Sequence, residues 1–501
     1  MKHPSTLVPE TRSGGLRWAP FCVIVIAMKY RDTRDASRQV SFKTAVLQGM
    51  DPVTGGLYIP LEIPELSRAF LFRNPAPSFR DIAFEAAKPF VSGEVPDADL
   101  MGIIADAYPF TAPVAPIDPS TYVLELFHGP TCAFKDFGAR FMARMMSYFN
   151  RGEDTPLHIL VATSGDTGSA VGSAFYGVPG IDVTILYPEG KISKLQEKQL
   201  STFDGNVKAL SVSGTFDDCQ KLVKTAFTDE KLRGKLRLSS ANSINISRLL
   251  PQSFYYIYGS LIIRERGPYD SKIENPSLIV TVPSGNFGNL TSGLMARKMG
   301  APIRGFIAAT NSNRTIPDWL DTGEYKARAS VATLSNAMDV GAPSNYERMQ
   351  AMYSVEEARR LIAGYWLDDA GTMDAIKSCH ARTGYIIDPH GAVAWKAWDD
   401  ARSGGMANLL AGKATPADKP GLRGKAKNAP EWARDCADKK CIGMILETAH
   451  PAKFGETVKA ATGRDPSIPE RLEKVLALPD RSERLTADYD TFREWIVANL
   501  H

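Results

Sequence analysis

The chain carries almost no net charge: 59 Lys and Arg stand against 56 Asp and Glu, leaving +3 over 501 residues. It contains no long basic run, so whole-chain attraction to nucleic acid has no support, although local cationic sites stay open. Cysteine is scarce. Cys22, Cys132, Cys219, Cys379, Cys436 and Cys441 form no Cys-x-x-Cys pair, and in so long a chain they read as scattered reduced thiols, with no zinc site expected at Cys436 and Cys441 and no metal elsewhere. The apolar run near the start, Phe21-Cys22-Val23-Ile24-Val25-Ile26-Ala27, is far shorter than the roughly 20 residues a bilayer span needs. Arg12 and Arg17 precede it, but no small-x-small cleavage site follows. Residues 1–27 therefore read as a disordered extension or a start-site artefact. There is no internal repeat.

What is present can build a large core. A hydrophobic content of 44% over 501 residues exceeds one ordinary domain. Residues 28–112 read as an N-terminal cap domain, and Pro109, Pro113, Pro116 and Pro119 as a linker into the core. From about 120 onward apolar strands alternate with helical stretches, as at Val207 to Val212 followed by Thr215-Phe216-Asp217-Asp218, a capping-box-like helix start. That alternation predicts parallel sheets covered by helices. The core is placed at 113–455, with a smaller lobe near 140–250 and a Gly-, Ala-, Lys- and Pro-rich surface insertion at 401–440. A helical segment at 456–501 closes the chain.

Three features carry chemistry. Lys135 lies in His128-Gly129-Pro130-Thr131-Cys132-Ala133-Phe134-Lys135-Asp136-Phe137-Gly138. An amine among Ala133, Phe134 and Phe137 can lose its proton near neutral pH and attack an aldehyde, whereas an isolated lysine is more often a solvated charge. The strand Leu157-His158-Ile159-Leu160-Val161 runs into Ser164-Gly165-Asp166-Thr167-Gly168 and a helix start, an arrangement that offers amides, hydroxyls and a helix dipole to an anion. The strand Leu278-Ile279-Val280-Thr281-Val282 repeats this grammar with Pro283-Ser284-Gly285-Asn286-Phe287-Gly288-Asn289. Either turn alone also fits an ordinary βα loop.

Together with Ala241-Asn242-Ser243-Ile244-Asn245 and Thr448-Ala449-His450-Pro451-Ala452-Lys453-Phe454, and in this order, the motifs resemble the threonine synthase family in its bacterial and fungal form. The similarity runs from about Met28 to near the C terminus. It implies a fold-type II pyridoxal-phosphate enzyme of the tryptophan synthase β kind, α/β in class, with two lobes built on parallel-type sheets plus an N-terminal cap. It also implies conversion of O-phospho-L-homoserine and water to L-threonine and phosphate, the last step of threonine biosynthesis, in the cytoplasm, by a monomer or homodimer that takes a small-molecule substrate and has no nucleic-acid or membrane partner.

By the same resemblance Lys135 is the catalytic lysine that condenses with pyridoxal 5'-phosphate. Ser284, Gly285, Asn286, Phe287, Gly288 and Asn289 hold the cofactor phosphate, mainly through amides. Thr448 faces the pyridine nitrogen and Asp166 lies near the phenolic oxygen, where its charge would be repelled unless a proton is shared. Ser164, Gly165 and Thr167 bind the substrate carboxylate, while Asn242, Ser243 and Arg248 grip the substrate phosphate, for which a guanidinium fork is suited. Read without the resemblance, Thr448 is a strand-end threonine, Arg248 a surface ion pair and Lys453 a surface charge. Two alternatives remain open: another pyridoxal-phosphate lyase, such as a dehydratase or phospholyase, and a catalytically silent paralogue that binds the cofactor or a metabolite.

Overall fold

The computed structural model describes residues 27–163, 165–267, 276–413, 415–416 and 418–500. The leader expected at 1–27 lies outside these residues except for Ala27, and Ser164 lies outside them too. Strands β1 (Tyr30–Asp32), β2 (Gln39–Val40) and β3 (Tyr58–Pro60) form an antiparallel ribbon in the order β2-β1-β3. The helices Phe79–Val91 and Asp97–Ala107 follow it, the first opened by a capping box between Ser78 and Asp81.

Two larger sheets make the body. Their strands are β4 (Val114–Asp118), β5 (Thr121–Glu125), β6 (Leu157–Ala162), β7 (Ile181–Pro188), β8 (Val207–Ser213) and β9 (Arg237–Ser240). After them come β10 (Ser277–Pro283), β11 (Gly305–Thr310), β12 (Ile362–Trp366), β13 (Gly421–Arg423), β14 (Cys441–Glu447) and β15 (Glu483–Thr486). The seven-stranded sheet runs β13-β12-β11-β10-β14-β5-β4, parallel from β12 to β5 with an antiparallel strand at each edge. The five-stranded sheet, β15-β8-β7-β6-β9, is parallel throughout.

Alternation along the central strands explains why they read as unbroken apolar runs. Leu278, Val280 and Val282 of β10 join Met444 and Leu446 of β14 in one core, while Ile279 joins Ile445 in a second core on the opposite face. Both faces are covered, so both phases of the strand must be apolar. The capping box expected at Thr215 forms with Asp218 and starts the helix Phe216–Thr228 over the smaller sheet.

Four expectations need correction. The proline-rich stretch is not a free linker: Pro116 sits in β4, an edge strand whose pairing with β5 shifts register between Pro116 and Asp118, and an edge tolerates the missing amide. Residues 401–440 are not confined to the surface. They supply β13, and they bury Met406, Leu409 and Trp432 in the second core. Cys436 and Cys441 are joined as a disulfide; the chain reverses between them through Lys439 in the left-handed region, at φ 59°, leaving Cys132, Cys219 and Cys379 free and buried. The C-terminal segment is only partly helical, because β15 pairs with β8 and extends the smaller sheet.

Candidate active site

In a parallel sheet the carboxyl ends of adjacent strands open on the same edge, where loops and helix N-termini converge. β10, β14 and β5 are neighbours. They deliver side by side the turn 284–287, Thr448, and the loop that ends at Lys135, the first residue of the helix Lys135–Phe149. The lysine loop is stitched to β14: Leu126 N–H donates to Glu447 O at 2.9 Å, Phe134 N–H to Thr448 O at 2.9 Å, and His450 N–H to Cys132 O at 3.0 Å. In the smaller sheet β6 and β9 are also neighbours, which brings Asp166 and Thr167 beside Asn242 and Ser243. The two edges face each other across a cavity of about 680 Å³, lined by Lys135, Asp166, Thr167, Asn242, Ser243, Arg248, residues 284–289 and Thr448. Gly165 does not line it. Gly165 caps the helix Asp166–Phe175 and packs against Gln196.

Lys135 is largely buried, its side chain 13% exposed. Burial, offset in part by Asp166, lowers its pKa to about 8. Asp166 is 3.8 Å from Lys135 Nζ through Oδ2 and 2.7 Å from Lys453 Nζ through Oδ1. Lys453 is thus no surface charge: it is fully buried and also donates to Thr131 O at 3.0 Å. Burial alone would raise the pKa of Asp166, but Lys453 and Lys135 together hold it well below the usual carboxylate range. The repulsion expected at this position is answered by a counter-ion on the chain itself.

Arg248 is not a surface ion pair either. It is 2% exposed, donates through one terminal nitrogen to Ala241 O, and keeps a buried Nε without a partner. Among the described residues no carboxylate lies within ion-pair distance of it, and burial lowers its pKa from 12.5 to about 10. Gly138 makes this placement possible, since a Cβ there would stand 2.7 Å from Arg248 O.

The turn 284–287 is crossed closely by another segment. A Cβ on Gly285 would meet Ala337 O at 2.8 Å, and Phe287 adopts the left-handed conformation at φ 60°, a shape that aims the next amides outward at the N-terminus of the helix Gly288–Lys298. Ser284 spends its donors on the sheet, its N–H on Ala309 O at 2.8 Å and its hydroxyl on Val282 O at 3.0 Å. Asn286 Nδ2 donates to Ser243 Oγ at 2.6 Å, tying the two edges together. Thr448 is 5% exposed, and among the described residues its hydroxyl has no hydrogen-bond partner.

Several contributors carry no local sequence signal. Arg348, fully buried, donates to Tyr58 O at 3.0 Å and to Asn345 Oδ1 at 2.8 Å, and Asn345 in turn reaches Asn286 O at 3.2 Å. His390 lines the cavity. Its Nδ1 contacts Asp388 Oδ2 at 2.5 Å, and its Nε2 accepts from Ala337 N–H at 3.2 Å, pinning the segment above Gly285. Arg471 holds the lysine loop from outside, donating to Cys132 Sγ, His128 O and Phe127 O at 2.8–3.0 Å.

Comparison with known proteins decides the family. Sequence models described as threonine synthase N terminus, pyridoxal-phosphate dependent enzyme, and threonine synthase C-terminal match residues 29–108, 117–408 and 428–496. The threonine synthase of Escherichia coli (strain K12) is 40% identical over 471 residues, covering 94% of this chain and 99% of that one. The chain belongs to the threonine synthase family. The crystal structure of threonine synthase from Escherichia coli superposes with a TM-score of 0.79 at 39% identity, over 94% of this chain and all of that one. A structure described as PLP-bound threonine synthase from Brucella melitensis gives 0.77 at 32% identity, over 94% and 99%. The family places this chain among the pyridoxal-phosphate-dependent enzymes of fold type II, and its members act in threonine biosynthesis.

The cavity's own groups suit pyridoxal phosphate. A largely buried lysine with a pKa near 8, helix-start amides beside a buried Asn289 Nδ2 that lacks a partner, and an uncommitted threonine hydroxyl are the donor set that an aldehyde, a phosphate and a pyridine nitrogen require. Among the described residues no group of three or more His, Cys, Asp or Glu could hold a metal ion, and no helix is long and apolar enough to cross a membrane.

Proposed function

We propose that this cavity converts O-phospho-L-homoserine and water to L-threonine and phosphate. The observation that carries the reading is Arg248, a buried cation without a carboxylate, on the wall of the same cavity as Lys135. Burying an unpaired charge is costly, and a second phosphoryl group, distinct from the cofactor's, is the ligand that offsets it.

When bound, pyridoxal phosphate supplies the aldehyde that takes an amine and a ring that draws electrons from the substrate carbons next to it. Lys135 Nζ, half-deprotonated near pH 8, removes the Cα proton and carries protons among the neighbouring carbons. Arg248 with Asn242 and Ser243 holds the substrate phosphate and favours its departure as an anion. Thr167 and the start of the helix Asp166–Phe175 orient the carboxylate. Residues 285–289 anchor the cofactor phosphate, and Ser284 shapes their turn. Thr448 would present a neutral hydroxyl, not a carboxylate, to the ring nitrogen of a bound cofactor. The segment 336–339, held by His390, covers this end of the cavity and limits its water.

The decisive experiment incubates the purified, cofactor-loaded protein with O-phosphohomoserine and measures phosphate and threonine together. Equal release of both supports the reading. Phosphate without threonine assigns the chain to another lyase, faster turnover of phosphoethanolamine assigns a phospholyase, and neither product with either substrate assigns a silent paralogue.

The proposal also takes residues 28–112 as a cap, 113–455 as the catalytic core and 456–501 as the closing segment, boundaries that limited proteolysis reads. It takes the enzyme as a cytoplasmic monomer or homodimer, which cell fractionation and light scattering read.

A further inference from the structure

We infer that Lys453 is a positioning residue of this site: by taking Asp166 as its own counter-ion it favours the uncharged amine form of Lys135. The inference rests on the function proposed above. It begins with a mismatch in number, since Asp166 is a single carboxylate with two lysines against it.

Distance and burial decide which lysine owns the carboxylate. Lys453 Nζ lies 2.7 Å from Oδ1 and Lys135 Nζ 3.8 Å from Oδ2, so at equal dielectric the attraction of Lys453 is ~1.4 times stronger. Lys453 is also held by Thr131 O at 3.0 Å, and Gln196 Nε2 donates to the same Oδ1 at 2.9 Å. The first contact holds the Lys453 ammonium in place and the second fixes Oδ1, while Lys135 faces the other oxygen, Oδ2. The Lys453 side chain is 0% exposed and Asp166 2%, so neither can exchange its partner for water, and parting them would leave two unpaired buried charges.

The other charged groups near Lys135 do not change this assignment. Arg248 and Lys453 repel a proton on Nζ, while Asp166 and Asp388 attract one. Asp388 is already engaged by His390 Nδ1 and by Gly391 N–H. Asp136, on Lys135's own helix, is turned to Thr131 N–H and Oγ1 at 2.9 and 2.7 Å. Lys453 therefore acts twice on Lys135, through its own positive field and by occupying the nearest carboxylate. Removing Lys453 gives Asp166 back to Lys135, which then holds its proton more tightly.

The test uses the apoenzyme and reads the pH dependence of Lys135 reactivity by trace acylation with isotope-labelled acetic anhydride and peptide mass spectrometry. Lys453→Gln keeps hydrogen-bond donors for Asp166 and Thr131 O but removes the charge; Lys453→Arg keeps the charge. The inference expects K453Q to move the reactivity midpoint of Lys135 upward by about one pH unit or more, and K453R to leave it near that of the unmutated protein. A K453Q midpoint equal to the unmutated one overturns it, because a purely structural lysine would be replaced by Gln without a change in Lys135 titration. Should K453Q fail to fold, 15N-lysine NMR of the unmutated apoenzyme decides: Lys453 still an ammonium at the pH where Lys135 is half-titrated supports the inference, and Lys453 losing its proton first overturns it. Separately, borohydride fixation of a pyridoxyl label on Lys135 in the unmutated protein tests the function proposed above, so the two can fail independently.

Discussion

Replacing Arg248 by Met should make the protein more stable while weakening its hold on phosphate. Burial moves the guanidinium from 12.5 to about 10, and at about 1.4 kcal/mol per pH unit this is a penalty of about 3 kcal/mol carried by the folded state. The sign follows from linkage: the folded pKa lies below the unfolded one, so the penalty acts in full at every pH below about 10 and disappears only above 12.5. Against this gain, Ala241 O loses its donor, worth roughly 1–2 kcal/mol. R248M should therefore unfold about 1–2 kcal/mol later than the unmutated enzyme near pH 7. Loss of two charge-assisted hydrogen bonds to a phosphate costs roughly 3 kcal/mol of binding, about a hundredfold in affinity. The assay is denaturant unfolding of the cofactor-loaded proteins with and without inorganic phosphate. At a phosphate concentration 100 times its dissociation constant the unmutated enzyme gains about 2.7 kcal/mol, whereas R248M gains less than about 0.5 kcal/mol. A variant that is less stable than its parent and equally protected by phosphate refutes the argument.

Three further outcomes follow from the same geometry. Lys135→Ala should abolish both turnover and borohydride-fixed pyridoxyl label, checked by product assay and peptide mapping. Thr448→Val keeps the shape but removes the uncommitted hydroxyl, so kcat should fall about tenfold or more with KM little changed; an unchanged kcat removes Thr448 from the site. Glu447 is fully buried, and desolvation and neighbouring Asp388 push its pKa well above the usual carboxylate range. Its folded pKa exceeds the unfolded 4.5, so the unmutated protein is penalised progressively as pH rises above 4.5. Glu447→Gln should then gain stability relative to its parent between pH 5 and pH 8, read as a difference in unfolding midpoint that grows with pH; a constant difference contradicts a neutral Glu447.

The parts of the site that sequence discloses are those in which the local backbone does the chemistry. A strand, a glycine turn and a helix start identify residues 284–289 because the amides and the dipole are consecutive in the chain. Lys135 stood out by its apolar flanks, and its position at the first turn of a helix follows from the same stretch. Side chains whose meaning depends on distant partners were legible only as types. Lys453 reads as a surface charge until the bridge between Ala133 and Ala449 brings its segment against the lysine loop. Arg348 lies about sixty residues beyond the turn it supports and contacts it only through the fold. The stretch 401–440 looked expendable because its composition is loop-like, yet three positions, Met406, Leu409 and Trp432, commit it to the core. Composition averages over such anchors, and contacts do not.

The buried charges of this site explain one another once counted together. Lys135, Lys453, Arg248 and Arg348 are enclosed, and among the described residues Asp166 is the carboxylate within ion-pair distance of the two lysines. Arg348 is satisfied by neutral oxygens alone, which suffices to hold the loops near Ser243 and Asn286 but leaves the local field positive. Lys453 and Asp166 neutralise each other. What remains is Lys135, Arg248, Arg348 and the amides of two helix starts, and among the described residues Arg248 has no carboxylate at ion-pair distance. A cavity arranged this way is least stable when empty of anions and is stabilised by ligands that bring two of them, so the proposed selectivity for a phosphorylated substrate beside a phosphorylated cofactor would follow from how the fold distributes charge.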